Sequence, residues 1–423
     1  MLASILKKIG AATLLLAASQ VLLLLAMRML SRRLGEQGYG QYGLAMSIGV
    51  YSFQFIQWGM DQFLTVKFAR GSADESRRLL GVLLRQKQLA ALVALAGGGI
   101  VAFSAQSSSE RALIFLGALD GVIVSFTIPS MFDARGRTAT WQFFAFLRHS
   151  TYLGALMILA WFFPNYFSPS AVVSIHALCA VVQVLLDQFW IQRNYGPALW
   201  PAPARDALEL WRSGAPMALA MLAQQAMFYM GLPLLRHFAR DNEMGALTLS
   251  NQFTIGAASF IGAPAAIIHA RLAQHQGEGR AFLRRVLRAT ILCALAGIAL
   301  SLAFPFIGGF IVRHVFQNFA DSTPKILSID GWRLAPILAS APLASAVICL
   351  NRLRAFATCW IFALLTGLAV AAILIPRFPA AAGSYNGAIG AASAVVAGSF
   401  AFFVFSALLL AYDWWRSPAE KAA

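Results

Sequence analysis

The chain has 423 residues, of which 59% are hydrophobic and 12% are charged, and its formal net charge is +16. A mean hydropathy of +0.68 leaves too little polar surface to cover a water-soluble globule, which excludes an ordinary soluble enzyme or binding domain. A basic soluble protein would suggest nucleic acid as a partner. Here basic loops facing anionic lipid explain the charge, so we expect membrane lipids and no nucleic acid.

Apolar stretches long enough to cross a bilayer recur along the whole chain. A spanning helix needs about 20 mostly apolar residues, because each residue rises about 1.5 Å through roughly 30 Å of hydrocarbon. About twelve stretches satisfy this length. They are residues 9–29, 41–64, 82–104, 112–132, 143–163, 171–191, 214–235, 246–269, 289–312, 334–350, 355–376 and 387–411. The first has Arg28 at its end and is followed by Arg32 and further spans, so we interpret it as uncleaved rather than as a secretory signal.

Lysine and arginine are distributed unevenly between the two sets of connecting loops. If the N-terminus is cytoplasmic, the cytoplasmic segments hold more than twice as many of these residues as the outer segments. Bacterial inner membranes keep basic loops on the cytoplasmic side. We therefore expect a multi-pass inner-membrane (plasma-membrane) protein with both termini in the cytoplasm.

A proline-rich cytoplasmic connector, residues 193–212, divides the spans into two sets of six. We predict an N-terminal six-helix bundle over residues 1–200 and a C-terminal six-helix bundle over residues 201–423. The predicted fold class is thus an all-α membrane protein of about 12 transmembrane helices in two six-helix bundles around a central cavity.

The two halves align weakly with each other as an internal repeat. An alignment of the two halves of the sequence pairs Gln20 with Gln224 and Arg32 with Arg236. An even number of spans in each half gives both halves the same orientation, so a repeat would relate them by an axis along the membrane normal. The matched polar residues are candidates for a shared, water-filled cavity.

Four segments carry a family resemblance. They are RRLGEQGYGQYG from Arg32 to Gly43, Trp58-Gly59-Met60-Asp61, Lys67-Phe68-Ala69-Arg70 and the stretch from Val315 to Arg352. Together they resemble the polysaccharide flippases, the Wzx-type O-antigen exporters of the multidrug/oligosaccharidyl-lipid/polysaccharide superfamily. In the second half, the counterpart of the glycine-rich turn retains only Gly245, which departs from the pattern.

The resemblance implies two bundles, a central cationic cavity and alternating access. It implies export of a polyprenyl-diphosphate-linked oligosaccharide from the cytoplasmic to the outer leaflet, for lipopolysaccharide or exopolysaccharide biosynthesis. A polysaccharide polymerase and glycosyltransferases are the partners that such a flippase implies.

Cargo of this kind requires cations for the diphosphate and amides for the sugar. Arginine suits a diphosphate, because its planar fork donates hydrogen bonds in pairs. The candidate substrate-binding residues are Arg28, Arg32, Arg148, Arg236, Arg240, Gln20 and Gln224. Each candidate also has an alternative to substrate binding. The arginines can lie at the interface and extend toward the headgroups, the glutamines can join helices, and Arg148 can form an ion pair with Asp133.

Asp120 is the candidate for ion coupling, since it is the deepest carboxylate in the predicted spans and groups of this kind often bind protons or sodium. Asp187 lies nearer the cytoplasmic end, where we expect it to extend to water or to meet Arg193. His176 is interpreted as a lone structural histidine. The four cysteines fall inside spans without paired spacing, so we predict neither disulfides nor a metal site.

No sequence feature indicates catalysis or a cofactor. The nucleotide-binding pattern G-x-x-x-x-G-K-[ST] is absent from the sequence, so ATP is not the expected energy source. An inside-negative potential favours outward movement of an anion by about 2.3 kcal/mol per charge per 100 mV. Two other functions remain open: a multidrug/cation antiporter of the same superfamily, and a membrane polysaccharide polymerase or lipid glycosyltransferase.

Overall fold

The computed structural model describes residues 2–105, 107–199, 202–238, 241–259, 272, 279–377 and 385–416. All regular secondary structure in these ranges is helical. Contacts divide the chain into two compact units, Met1–Ala218 and Leu219–Ala423. The predicted division at residues 200 and 201, and the predicted cavity between the bundles, stay predictions.

The N-terminal unit is built from long apolar helices and two short ones. Its helices are α1 (Leu2–Gln57), α2 (Met60–Arg70), α3 (Ala73–Phe103), α4 (Ser108–Ser125), α5 (Pro129–Ala134), α6 (Thr138–Phe162), α7 (Pro169–Tyr195) and the first part of α8 (Ala204–Tyr229). α4 packs on α1, α3 and α7, and α6 packs on α1 and α7.

The C-terminal unit has a similar mixture of long and short helices. After the rest of α8 come α9 (Gly231–His237), α10 (Asp241–Ser259), α11 (Arg280–Val315), α12 (Thr323–Asp330), α13 (Leu334–Cys349), α14 (Leu353–Arg377) and α15 (Asn386–Arg416). α14 pairs with α15, and α11 pairs with α13.

Within the described ranges, nine helices are long and apolar enough to cross a membrane, or ten if α8 and α9, bent by 54°, form one span. The first of these, Gly10–Gln57, has 48 residues and covers two predicted spans. At about 1.5 Å per residue it is about 72 Å long, more than twice the roughly 30 Å of hydrocarbon. The predicted eighth span is described only as far as Ser259. The predicted all-α membrane class is confirmed.

A glycine separates the two predicted spans that α1 covers. Gly35 has φ 68° and ψ −176°, which lies outside the helical region and is accessible mainly to glycine. The second predicted span, 41–64, ends earlier than expected. The helix stops at Gln57 because Trp58 and Gly59 both have positive φ, and α2 begins at Met60.

Small residues bring α1 and α4 into backbone contact. A methyl group added at Gly121 would meet the carbonyl oxygen of Gly49, and one added at Gly117 would meet that of Ala45. Spacing small residues four apart on both helices permits this close approach. The contact holds the middle of α4, including Asp120, against α1.

The connector before α8 is attached to α3. Arg77 donates from Nε to the carbonyl oxygen of Pro197 at 2.9 Å, and the amide of Leu199 donates to the carbonyl oxygen of Arg77 at 3.2 Å. Further along, the indole nitrogen of Trp58 donates to the carbonyl oxygen of Trp211 at 2.8 Å. The break between α1 and α2 is thereby joined to the start of α8.

Candidate functional site

Among the described residues, buried ionisable side chains form a cluster in each unit. We define the N-terminal cluster as Lys87, Asp120, Arg148, His176 and Asp187. The C-terminal cluster consists of Ser250, Asn251, Thr254, Asp330 and Arg333. Charges at membrane depth are costly unless they are paired, hydrogen-bonded or used by the protein, so each cluster needs a physical explanation.

Asp120 and His176 form a buried pair that joins α4 to α7. The Oδ1 atom of Asp120 lies 2.7 Å from Nδ1 of His176, and the two residues are 3% and 8% exposed. The ring of Tyr152 on α6 meets the imidazole edge to face, with centroids 5.1 Å apart. The expectation of a lone histidine is therefore wrong, because the fold brings together residues 56 positions apart. The ion-coupling role of Asp120 stays a prediction.

Arg148 projects from α6 and lies within electrostatic range of both Asp120 and Asp187. Its side chain is partly buried, and its Nε atom is buried without a hydrogen-bond partner among the described residues. The alternative pairing with Asp133 is not formed, since that carboxylate accepts a hydrogen bond from the hydroxyl of Thr138 at 2.7 Å. The guanidinium of Arg148 thus retains donor capacity.

Asp187 lies deep in the unit instead of extending to the cytoplasmic surface. It is 0% exposed, and within the described part of the chain neither carboxylate oxygen has a hydrogen-bond partner. Its electrostatic neighbours are Arg148 and Lys87, and the amide of Ile128 and the indole of Trp141 also face it, whereas Arg193 is exposed. The expected contact with water or Arg193 is wrong, because helix packing turns this face of α7 inward. One turn earlier, Oε1 of buried Gln183 also lacks a partner among those residues.

Lys87 is a buried cation that sequence reasoning did not select. It is 0% exposed, and its Nζ atom donates to the carbonyl oxygens of Ser125 at 2.5 Å and Thr127 at 2.9 Å. These oxygens lie at the C-terminal end of α4, where the helix dipole favours a cation. The available signal was its position inside the predicted third span, since a charge within a span usually has a specific partner.

The C-terminal cluster is centred on an ion pair between Asp330 and Arg333. Nε of Arg333 lies 3.4 Å from Oδ1 of Asp330, and both side chains are 2% exposed. Oδ2 of Asp330 accepts hydrogen bonds from Ser250 at 3.2 Å and Thr254 at 2.8 Å. Arg333 also donates from Nη2 to the carbonyl oxygen of Asn251 at 3.1 Å. Asp330 and Arg333 lie between the predicted spans 289–312 and 334–350, in a segment that hydropathy predicts as a loop, so the pair was not predicted.

A small pocket, with room for about one water molecule, adjoins this ion pair. Its polar lining comes from Tyr229, Asn251, Asp330 and Arg333, and the ring of Phe228 lies 5.8 Å from the guanidinium carbon. Oδ1 of Asn251 is buried without a hydrogen-bond partner in the residues that the structure covers. The pocket lining is therefore mixed, with these polar groups beside apolar side chains such as Leu232 and Leu247.

The structure places the predicted substrate-binding residues in different surroundings. Gln20, Arg28 and Gln224 are partly buried, and Nε of Arg28 has no hydrogen-bond partner in the described ranges. Arg32 is exposed, Arg236 is partly buried in the last turn of α9, and Arg240 lies outside the described residues. Their substrate-binding roles stay predictions. The four cysteines are free thiols within helices.

No family model matches the chain, and no curated protein matches it in sequence. Solved structures match its fold over nearly its full length. A multidrug resistance MATE family transporter of the MOP superfamily, inward-facing, has a TM-score of 0.67 and 14% identity, covering 96% of this chain and 99% of that chain. The lipid II flippase MurJ, inward closed, has a TM-score of 0.65 and 11% identity, covering 96% and 89%. A variant of the Vibrio cholerae MATE transporter VcmN has a TM-score of 0.57 and 14% identity, covering 97% and 98%. This chain is therefore a multi-pass membrane protein with the fold shared by MATE transporters and the flippase MurJ.

Proposed function

We propose that this protein is a flippase that moves a polyprenyl-diphosphate-linked oligosaccharide from the cytoplasmic to the outer leaflet for surface polysaccharide biosynthesis. The observation that carries the proposal is Arg148, a guanidinium in an apolar helix whose buried Nε lacks a hydrogen-bond partner among the described residues. An unsatisfied buried donor is costly, and a diphosphate supplies charged acceptors that match the guanidinium fork.

Arg28 on α1 supports the same interpretation, because its Nε atom is also buried and unpartnered within the described ranges. Two such arginines in apolar helices of one unit suit anionic cargo better than cationic cargo. MurJ, whose structure is named as a lipid II flippase, has the same fold. We extend the class of cargo, a lipid-linked saccharide, to this chain as part of the proposal.

The proposal includes an inner-membrane location with both termini in the cytoplasm. In that orientation an inside-negative potential drives an anion outward, at about 2.3 kcal/mol per charge per 100 mV. Coupling to an ion through Asp120, and cooperation with a polysaccharide polymerase and glycosyltransferases, belong to the proposal as well.

A second candidate function is the export of cationic drugs. It is favoured by Asp187, because a fully buried carboxylate without hydrogen-bond partners in the described residues could receive an organic cation. The MATE transporters with the same fold are named for multidrug resistance. The fold similarity suits both candidates, so the cargo has to be decided by experiment.

The deciding experiment uses a strain without this gene, complemented with the natural protein, with Arg148→Ala, or with the matched control Arg137→Ala. Arg137 is an exposed arginine of the same unit. Polyprenyl-linked saccharides are extracted and identified by mass spectrometry, and their leaflet is determined with a membrane-impermeant reagent.

We expect the deletion strain and the Arg148→Ala strain to accumulate the lipid-linked saccharide on the cytoplasmic face and to lose surface polymer, whereas Arg137→Ala restores both. Normal saccharide levels combined with new drug sensitivity would establish the antiporter instead. Single saccharide units accumulating on the outer face would indicate a polymerase.

A further inference from the structure

We infer that Asp187 is a proton-binding group of the N-terminal unit, and that its protonation releases Arg148 to bind an anionic headgroup. The inference rests on the proposed function for the identity of the cargo. It assigns the proton to Asp187 and not to Asp120, the carboxylate that sequence reasoning favoured. The two carboxylates differ in the hydrogen-bond partners that the fold gives them.

Asp120 already has a strong partner, the imidazole of His176 at 2.7 Å. Asp187 is 0% exposed, and neither of its oxygens forms a hydrogen bond of good geometry in the described parts of the chain, although the amide of Ile128 and the indole of Trp141 face it. A charged carboxylate in this condition loses its hydration with little compensation. Neutralisation by a proton removes most of that cost.

The groups around Asp187 favour a proton over a metal ion. Lys87 on α3 and Arg148 on α6 both lie within its electrostatic range, and both stabilise the ionised carboxylate, so either added charge binds against them. A sodium ion would also have to exchange its water for several oxygen ligands, whereas these two neighbours are cations. A proton adds the same charge but needs only one carboxylate oxygen, on which it forms a covalent O–H bond.

Other titratable groups also face this region from the surrounding helices. α6 contributes His149, which is influenced by Arg148 and His176, and also Tyr152. α4 contributes Asp120, which lies in range of Arg148, and α1 contributes Tyr42 beside Tyr152. Both carboxylates are buried, but Asp120 is paired with His176, whereas the oxygens of Asp187 form no hydrogen bond of good geometry among the described residues.

Arg148 connects proton binding to cargo binding. Asp187 and Asp120 both attract this guanidinium, and within the described residues it forms no direct ion pair with either. When Asp187 takes up a proton, one of the two attractions disappears and the guanidinium can turn to an external anion. Because linkage is reciprocal, binding of the anion must then promote proton uptake.

The test uses the full chain in lipid nanodiscs, with a polyprenyl diphosphate as the probe. Binding is measured by calorimetry at several pH values, in buffers with different ionisation enthalpies. The measurement gives the affinity together with the number of protons that the protein takes up on binding. The variant is Asp187→Asn, which imitates the protonated carboxyl, and the matched control is Asp133→Asn at an exposed carboxylate. Titration of the diphosphate itself contributes equally to all three proteins.

We expect the natural protein and Asp133→Asn to bind the diphosphate more tightly as pH falls. Their affinity should rise by up to roughly tenfold per pH unit more than the affinity of Asp187→Asn, and each should take up one more proton on binding. Asp187→Asn should bind tightly with no pH dependence beyond that of the probe. Equal slopes and equal proton uptake in all three proteins would overturn the inference.

Infrared difference spectroscopy on the protein without probe provides a second readout. A protonated Asp187 gives a carboxylic-acid carbonyl band on acidification that is missing in Asp187→Asn and retained in Asp133→Asn. Absence of that band in the natural protein overturns the inference. If the band is present but no variant binds the diphosphate, the proton site stands and the proposed anionic cargo fails. A sodium-dependent band shift at constant pH would show that the site takes a metal cation instead.

Discussion

The two units differ in how each satisfies one buried carboxylate. In the C-terminal cluster, the carboxylate of Asp330 accepts hydrogen bonds from two hydroxyl groups and lies beside the guanidinium of Arg333. In the N-terminal cluster, both oxygens of Asp187 and Nε of Arg148 lack hydrogen-bond partners among the described residues. A satisfied network stabilises one arrangement, whereas an unsatisfied one stays available to a ligand or a proton. The comparison suggests a structural role for the first and a transport role for the second.

The largest effect should follow the loss of Asp330, which would leave Arg333 buried without its counterion. We expect Asp330→Ala to lower the free energy of unfolding by about 3–5 kcal/mol, measured by thermal denaturation in detergent. The double variant Asp330→Leu/Arg333→Met should recover much of this loss, because it removes both charges. If Asp330→Ala unfolds like the natural protein, the cluster has no structural role.

The variant Lys87→Met tests whether the N-terminal cluster also contains a cation with a structural role. The lysine ammonium group donates to two carbonyl oxygens at the end of α4, which Lys87→Met would leave without these donors. We expect a loss of about 1–3 kcal/mol in unfolding free energy, since the oxygens stay buried. The exposed lysine variant Lys325→Met serves as the control. An unchanged melting temperature would mean that water replaces the ammonium group.

Asp120→Asn tests the coupling role of the pair with His176. The asparagine keeps the shape and a polar contact with the imidazole, so we expect a stability loss of about 0.5–1.5 kcal/mol, within the range of a single hydrogen bond. Because the proton is assigned to Asp187, export by Asp120→Asn should keep its pH dependence, measured as saccharide transfer in proteoliposomes at different pH values. A loss of that dependence would show that Asp120 binds the coupling proton.

The smallest stability effect should come from Arg148→Met, although its effect on transport should be large. Arg148 forms no direct ion pair in the described structure, and its long apolar stem is retained by methionine, so we expect a change within about 1 kcal/mol. Saccharide transfer in proteoliposomes should nevertheless be lost. A stability loss as large as that of Asp330→Ala would show that both clusters are structural, and the contrast between the units would disappear.

Part of the candidate site was readable from the sequence because it depends on local residue type. Arg148 and Asp120 were selected as charges inside apolar spans, and the structure places both in the N-terminal cluster. Their partners were not readable. His176 meets Asp120 across 56 positions, and Ser250 meets Asp330 across 80, so neither pairing leaves a pattern in nearby sequence.

Surface or interior location was equally hard to assign for residues near helix ends. Asp187 and Asp330 were both expected close to water, because each lies near the end of a predicted span or in a predicted loop. In the structure Asp187 is 0% and Asp330 is 1% exposed. Hydropathy reports how apolar a segment is along its length. It does not report which side of the segment neighbouring helices cover.

The sequence alone determined that this protein is an all-α membrane protein, because each span forms all its backbone hydrogen bonds within itself and must be about 20 apolar residues long. It also predicted a separation between the first two spans, 9–29 and 41–64, and the structure shows that the non-helical residue between them is Gly35. Only the tertiary structure decided which charges are satisfied. Ion pairs and hydrogen bonds between helices depend on rotation and packing, which are set by contacts between residues far apart in the chain.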